Sequence, residues 1–116
     1  IEGASQGKGL GLQFLRHIER TKLLLFMIDA TNENLVEQFQ ILRKELLTYS
    51  EEMSKKPFVL AFTKIDALTE DVLNDIKKIK IDGYDGPIFY LSSVAGIGVK
   101  DLIDYLWERL NSLENY

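Results

Sequence analysis

The sequence predicts an α/β fold built on a parallel sheet, and three observations carry that expectation. The apolar runs Leu23 to Ile28, Phe58 to Phe62 and Ile88 to Leu91 read as strands. None of them alternates polar with apolar residues, the pattern expected of strands covered by helices on both faces. The stretches between them carry helical periodicity, so strands and helices alternate along the chain as in crossover-connected parallel sheets.

Taken in order, an opening helix is expected over roughly Leu10 to Arg20, packing Leu10, Phe14, Leu15 and Ile18. After the first strand, Leu35, Phe39, Leu42, Leu46 and Tyr49 recur at spacings of four and three, which places one apolar stripe along a helix. Thr31 or Asn32 is the expected cap at its start. After the second strand, Thr69 caps a helix with Glu70 and Asp71 in its first turn and Lys77 and Lys78 in its last, matching the helix dipole at both ends. Val72, Leu73, Ile76 and Ile79 form its buried side. The run Asp82-Gly83-Tyr84-Asp85-Gly86-Pro87 turns the chain before the third strand. The last helix presents Leu102, Ile103, Leu106, Trp107 and Leu110, with Tyr105 and Trp107 expected to pack rather than stack on a ligand. Three strands are few for such a sheet, so part of it is expected to lie on one side beyond these residues. The start at Ile1, with no methionine or leader, reads as the middle of a larger protein.

Composition narrows the function. The 116 residues make one domain with enough chain for its own core. A net charge of -4 argues against a general grip on nucleic acid, which needs a basic surface. Lys55-Lys56 and Lys77-Lys78-Lys80 are short, lie near Glu51, Glu52 and Asp82, and read as solvated faces. The chain has no cysteine, compatible with a reducing cytoplasm. No apolar run approaches the roughly 20 residues of a membrane span.

The most informative stretch is Thr63-Lys64-Ile65-Asp66, directly after the second apolar run. Ligands of open α/β sheets bind where the carboxyl ends of strands meet loops. There, the carboxylate of Asp66 can accept two hydrogen bonds from a guanine ring N–H and exocyclic amine, while the stem of Lys64 lies across the base. Gly3-Ala4-Ser5-Gln6-Gly7-Lys8-Gly9 is not a phosphate loop. It has three residues between its first two glycines instead of four, and Gly9 stands where a metal-binding Ser or Thr belongs. A flexible or switching segment is the better reading. His17, between Arg16 and Glu19, reads as structural, and Asp29 as a loop anchor rather than a metal ligand.

Longer matches add to these residues. Ile1-Glu2-Gly3-Ala4-Ser5, Gly7-Lys8-Gly9-Leu10-Gly11 and Phe14-Leu15-Arg16-His17-Ile18-Glu19-Arg20-Thr21 closely resemble the switch II region and following helix of the Obg family, bacterial P-loop GTPases associated with the large ribosomal subunit. The resemblance covers the full length. Thr63 to Asp66 falls at the family's N-K-x-D motif, and Ser92-Ser93-Val94-Ala95-Gly96 at its S-A-x-x-G guanine loop.

The resemblance implies a three-layer P-loop NTPase-like sheet that is incomplete, with the N-terminal strands and phosphate loop absent. Residues 1–11 would be the remainder of switch II and 12–116 a helix plus three strand-helix units. It implies a GTP-hydrolysing switch acting in large-subunit assembly in the cytoplasm, with GTP or GDP and Mg²⁺ as cofactors. The nucleotide-binding set is Thr63, Lys64, Asp66, Ser92, Ser93 and Val94, with no catalytic residue or metal ligand in this chain.

Two positions depart from the family pattern. Thr63 replaces an Asn whose amide ties neighbouring loops together, and its hydroxyl can do part of that work. Ser93 replaces an Ala that acts through its backbone N–H. Ser92 should bond back to Asp66 or hold its loop. The chain alone is expected neither to hydrolyse GTP nor to bind it tightly, and to self-associate through the unpaired edge strand Leu23-Ile28. The competing expectation is a non-catalytic α/β module that binds protein or RNA.

Overall fold

The computed structural model describes residues 22–114. The expected opening helix, the glycine-rich start and His17 lie outside the described residues.

The element order is β1 (Leu24–Asp29), α1 (Leu35–Tyr49), α2 (Glu51–Ser54), β2 (Phe58–Thr63), a 3₁₀ turn (Ile65–Ala67), α3 (Glu70–Lys77), β3 (Ile88–Tyr90) and α4 (Val99–Glu114). The strands form one parallel sheet in the order β1-β2-β3. Leu24 pairs with Phe58 and Asp29 with Thr63 across β1 and β2, while Leu60 pairs with Ile88 and Phe62 with Tyr90 across β2 and β3.

β2 shows why the apolar runs do not alternate. Leu60 and Phe62 point into a core with Ile28, Leu35, Phe39 and Ile76, the side covered by α1 and α3. Val59 and Ala61 point the other way, into a core with Leu91 and Leu102 beneath α4. All four of these residues are buried, so each of these β2 positions needs an apolar side chain. The result is a helix layer, a sheet and a second helix layer, the expected class. At the amino end of the sheet, Leu24, Leu46 and Met53 close a smaller cluster, with Met53 carried by the short α2.

The strand bounds differ from expectation by a residue. The ladder continues through the polar residues Asp29 and Thr63, and β3 stops at Tyr90. The cap of α1 is Asn34, whose side chain accepts the Glu37 N–H at 3.0 Å. Thr31 and Asn32 are occupied in the turn after β1: the Thr31 hydroxyl donates to the Asp29 carboxylate and the Asn32 amide donates to the Asp29 carbonyl. Thr69 caps α3 as expected, accepting from the Val72 N–H.

Among the described residues, Leu102 and Leu106 of the expected α4 stripe pack against the sheet, as Tyr105 does, and Leu110 is half-buried, whereas Trp107 is 64 % exposed and Ile103 51 %. Met27 is likewise exposed. It lies on the β1 face away from α1, where among the described residues Leu23 and Leu25 pack against the core beneath α4 and Met27 does not. No helix among the described residues is long and apolar enough to cross a membrane.

Candidate functional site at the carboxyl edge of the sheet

All three parallel strands deliver a loop to the same edge. β1 ends in Asp29 and the turn to Thr31, β2 in Thr63 and the turn to Asp66, and β3 in Tyr90, followed by Leu91 and the loop from Ser92. The first two are stitched by Ala30 N–H to the Thr63 carbonyl at 2.9 Å, the last two by Ile65 N–H to the Leu91 carbonyl at 3.1 Å.

The loop after β3 is a closed unit. Ser92 and Ile97 exchange two backbone hydrogen bonds, at 3.0 and 2.9 Å. The Ser92 side chain is fully buried inside that loop. Its hydroxyl accepts the Ala95 N–H at 3.1 Å and donates to Asp66 Oδ1 at 2.7 Å. A hydroxyl can both donate and accept, so one side chain performs both expected tasks. Ser93 and Val94 project from the loop into solvent. Among the described residues their amides have no partner and stay available as donors.

Asp66 sits exposed on the 3₁₀ turn, with Oδ1 oriented by Ser92. Lys64 precedes it at φ 61° and ψ 34°, the one non-glycine residue with positive φ among those described. That conformation costs roughly 1–2 kcal/mol for a residue with a Cβ, and it turns the side chain back toward β1. There the Lys64 ammonium meets Asp29 Oδ2 at 3.0 Å. Thr63 is half-buried, and its hydroxyl makes a long contact, 3.5 Å, with the Ile28 carbonyl.

Asp29 also accepts the Thr31 N–H at 2.9 Å and the Thr31 hydroxyl at 2.6 Å on Oδ1. The Thr31 hydroxyl, then its amide, then Lys64 hold the Asp29 carboxyl down to about 2 from the ordinary 3.8. It is an anchor, as expected, and stays ionised across the neutral range.

The structure thus brings Asp66, Ser92 and their loops into direct contact, and directs Lys64 to Asp29. The Asp29–Lys64 contact was not readable from the motifs. Neither was the role of Gly98, at φ 75°, where a Cβ would stand 2.4 Å from the Tyr90 carbonyl. A glycine two residues beyond Gly96 was its only signal. No group of acids or imidazoles among the described residues could hold a metal ion. Among the described residues, one cleft runs between α1 and α3 from the turn after β1, lined by Ala30, Thr31, Leu35, Val72 and Ile76, and another lies at the opposite end of the sheet, around Phe58, Tyr84 and Arg109.

A parallel sheet between helix layers, with ligand-competent loops at its carboxyl edge, is the architecture of the P-loop NTPase-like α/β domains. The family model described as "50S ribosome-binding GTPase" matches residues 1–64. The chain is 48% identical over 115 residues to GTPase Obg of Bacteroides thetaiotaomicron, covering 99% of this chain and 29% of that protein. It is 46% identical over 116 residues to GTPase Obg of Parabacteroides distasonis, covering 100% and 29%, and 42% identical over 116 residues to that of Gloeothece citriformis, covering 97% and 33%. The chain belongs to the Obg family of GTPases. It spans about a third or less of the length of these relatives.

Proposed function

We propose that this chain supplies the guanine-recognising part of a GTP-binding, GTP-hydrolysing switch protein. Asp66 accepts the ring N–H and exocyclic amine of the base. The stem of Lys64 covers the base face, the Ser93 and Val94 amides donate to its carbonyl oxygen, and Ser92 orients Asp66. Thr63 stands at the foot of the loop, with its hydroxyl on the Ile28 carbonyl of β1. The observation that carries this reading is the 2.7 Å bond from the buried Ser92 hydroxyl to Asp66, which ties two strand-end loops into one acceptor-and-donor pair.

In the resembled family the phosphate loop, the first switch and the magnesium ligands precede the segment that begins at Ile1, so phosphoryl transfer and metal binding belong to those parts. Action in large-subunit assembly in the cytoplasm follows the family. Residues 1–11 fit the end of switch II in the same reading.

In the full-length protein, Asp66→Asn should lower GDP affinity by about 2–3 kcal/mol, roughly 30- to 150-fold, because charge-assisted bonds are lost and an amide donor faces the ring N–H. Preference for GDP over other nucleoside diphosphates should relax with it. Unchanged affinity would remove Asp66 from the site and favour the non-catalytic interaction module.

The 116-residue polypeptide alone has the base contacts without the phosphate contacts. Two bonds to Asp66 at about 1.5–3 kcal/mol each, and about 1–2 more from Lys64 and the Ser93 amide, compete with an association cost on the order of 4–15 kcal/mol. GDP should bind with millimolar or weaker affinity and GTP should not be hydrolysed. Micromolar binding in a calorimetric titration would overturn this. The β1 edge, which among the described residues has no strand beside it, should also make the isolated polypeptide self-associate.

A further inference from the structure

We infer that Asp29 is a positioning residue for the candidate nucleotide site: it fixes Lys64 and so supplies the cross-loop tie that the Thr63 side chain does not make. The inference rests on the guanine-site reading and names a residue outside the set Thr63, Lys64, Asp66, Ser92, Ser93 and Val94.

The geometry assigns the work as follows. Thr63 and Asp29 are register partners at the ends of β2 and β1. Among the described residues, the hydroxyl at 63 reaches only the Ile28 carbonyl, at 3.5 Å, the outer limit of a hydrogen bond. Among the described residues it makes no hydrogen bond to the neighbouring turn. Asp29 makes that connection from the opposite strand. Its Oδ1 takes two bonds from Thr31, which fixes the carboxylate, and its Oδ2 takes the Lys64 ammonium at 3.0 Å.

Lys64 needs such a hold. It stands in the left-handed region, its side chain is 68 % exposed, and its four-carbon stem is free to rotate without an end contact. A carboxylate with both oxygens committed, in a turn closed by Asn32 on the Asp29 carbonyl, is a rigid post for a flexible cation. A ligand group whose partners are fixed in advance binds with less ordering cost.

The test is a mutant cycle on the full-length protein, read by GDP affinity together with thermal unfolding of the nucleotide-free form. Asp29→Asn keeps an acceptor for Thr31 and removes the charge. It should raise the Kd for GDP about three- to fivefold, the size expected of a partly exposed ion pair. Lys64→Met should raise the Kd as well, and adding Asp29→Asn to Lys64→Met should change nothing further, because the acid acts through the lysine. Thr63→Asn, which supplies an amide able to bridge the loops, should restore most of the affinity lost in Asp29→Asn.

Additive effects of Asp29→Asn and Lys64→Met, no rescue by Thr63→Asn, or an Asp29→Asn protein that is unfolded before nucleotide is added would each overturn the assignment. Asp66→Asn run beside them separates the two layers. If Asp66→Asn leaves GDP affinity unchanged, the guanine site itself falls. If Asp66→Asn weakens binding and Asp29→Asn does not, only the role of Asp29 falls.

Discussion

Asp29 and Asp66 are acids at the ends of adjacent parallel strands, and their partners divide the work between them. Asp29 commits both oxygens to the protein, to Thr31 and to Lys64. Asp66 commits Oδ1 to Ser92, and its Oδ2 has no protein partner among the described residues. An acid whose bonds are satisfied internally builds the site, and one with open lone pairs can read a ligand. Ser92 is what makes the second state stable, since it is buried and linked to both Asp66 and the Ala95 amide. Ser92→Ala in the full-length protein should therefore cost about 1–2 kcal/mol of GDP affinity, roughly 5- to 30-fold, through loss of a hydrogen bond to a charged group and a looser loop. Equal affinity of variant and parent in a GDP titration would show that Asp66 needs no orienting partner. Asp66 and Ser92 were legible in the sequence because each follows an apolar run at a strand end. The Asp29–Lys64 pair was not, since it depends on the register that sets Asp29 opposite Thr63 and on the positive φ of Lys64, and no spacing encodes either.

Among the elements, the strands and the large helices were legible because burial on both faces leaves a continuous apolar run and burial on one face leaves a helical stripe. Their ends were less so. Polar Asp29 and Thr63 continue the ladder because their neighbours across the sheet are still in place, a tertiary effect that side-chain polarity hides. Thr31 and Asn32 have good capping chemistry, yet the turn after β1 uses them first and the cap passes to Asn34. The α2 turn escaped notice because four residues cannot show a period; its start is fixed by Ser50, which accepts the Met53 N–H while Met53 fills the lower core. α4 shows the opposite limit. Its periodicity identifies Ile103 and Trp107 as apolar positions on one helix, but periodicity says nothing about whether a partner covers them, and among the described residues none does.

For the whole molecule, the exposed apolar positions and the strand order point the same way. β2 is covered on both edges and both faces, and β3 carries the loop of Ser92. β1 has β2 on one edge and, among the described residues, no strand on the other. Met27 on β1 is 54 % exposed, beside half-buried Leu25 and Phe26. An apolar parallel edge with open N–H and C=O groups is a template for another strand. The isolated 116-residue polypeptide should therefore show a weight-average mass that rises with concentration in sedimentation equilibrium. Met27→Lys should lower that association, because a charge on an exposed edge strand disfavours pairing while leaving the buried faces of β1 intact. Trp107→Lys serves as the control on the other exposed apolar site. If it suppresses association and Met27→Lys does not, the contact runs through α4 and not through the sheet edge. A polypeptide that stays monomeric across the full concentration range would mean that the β1 edge is covered in solution, and the self-association proposal would fail.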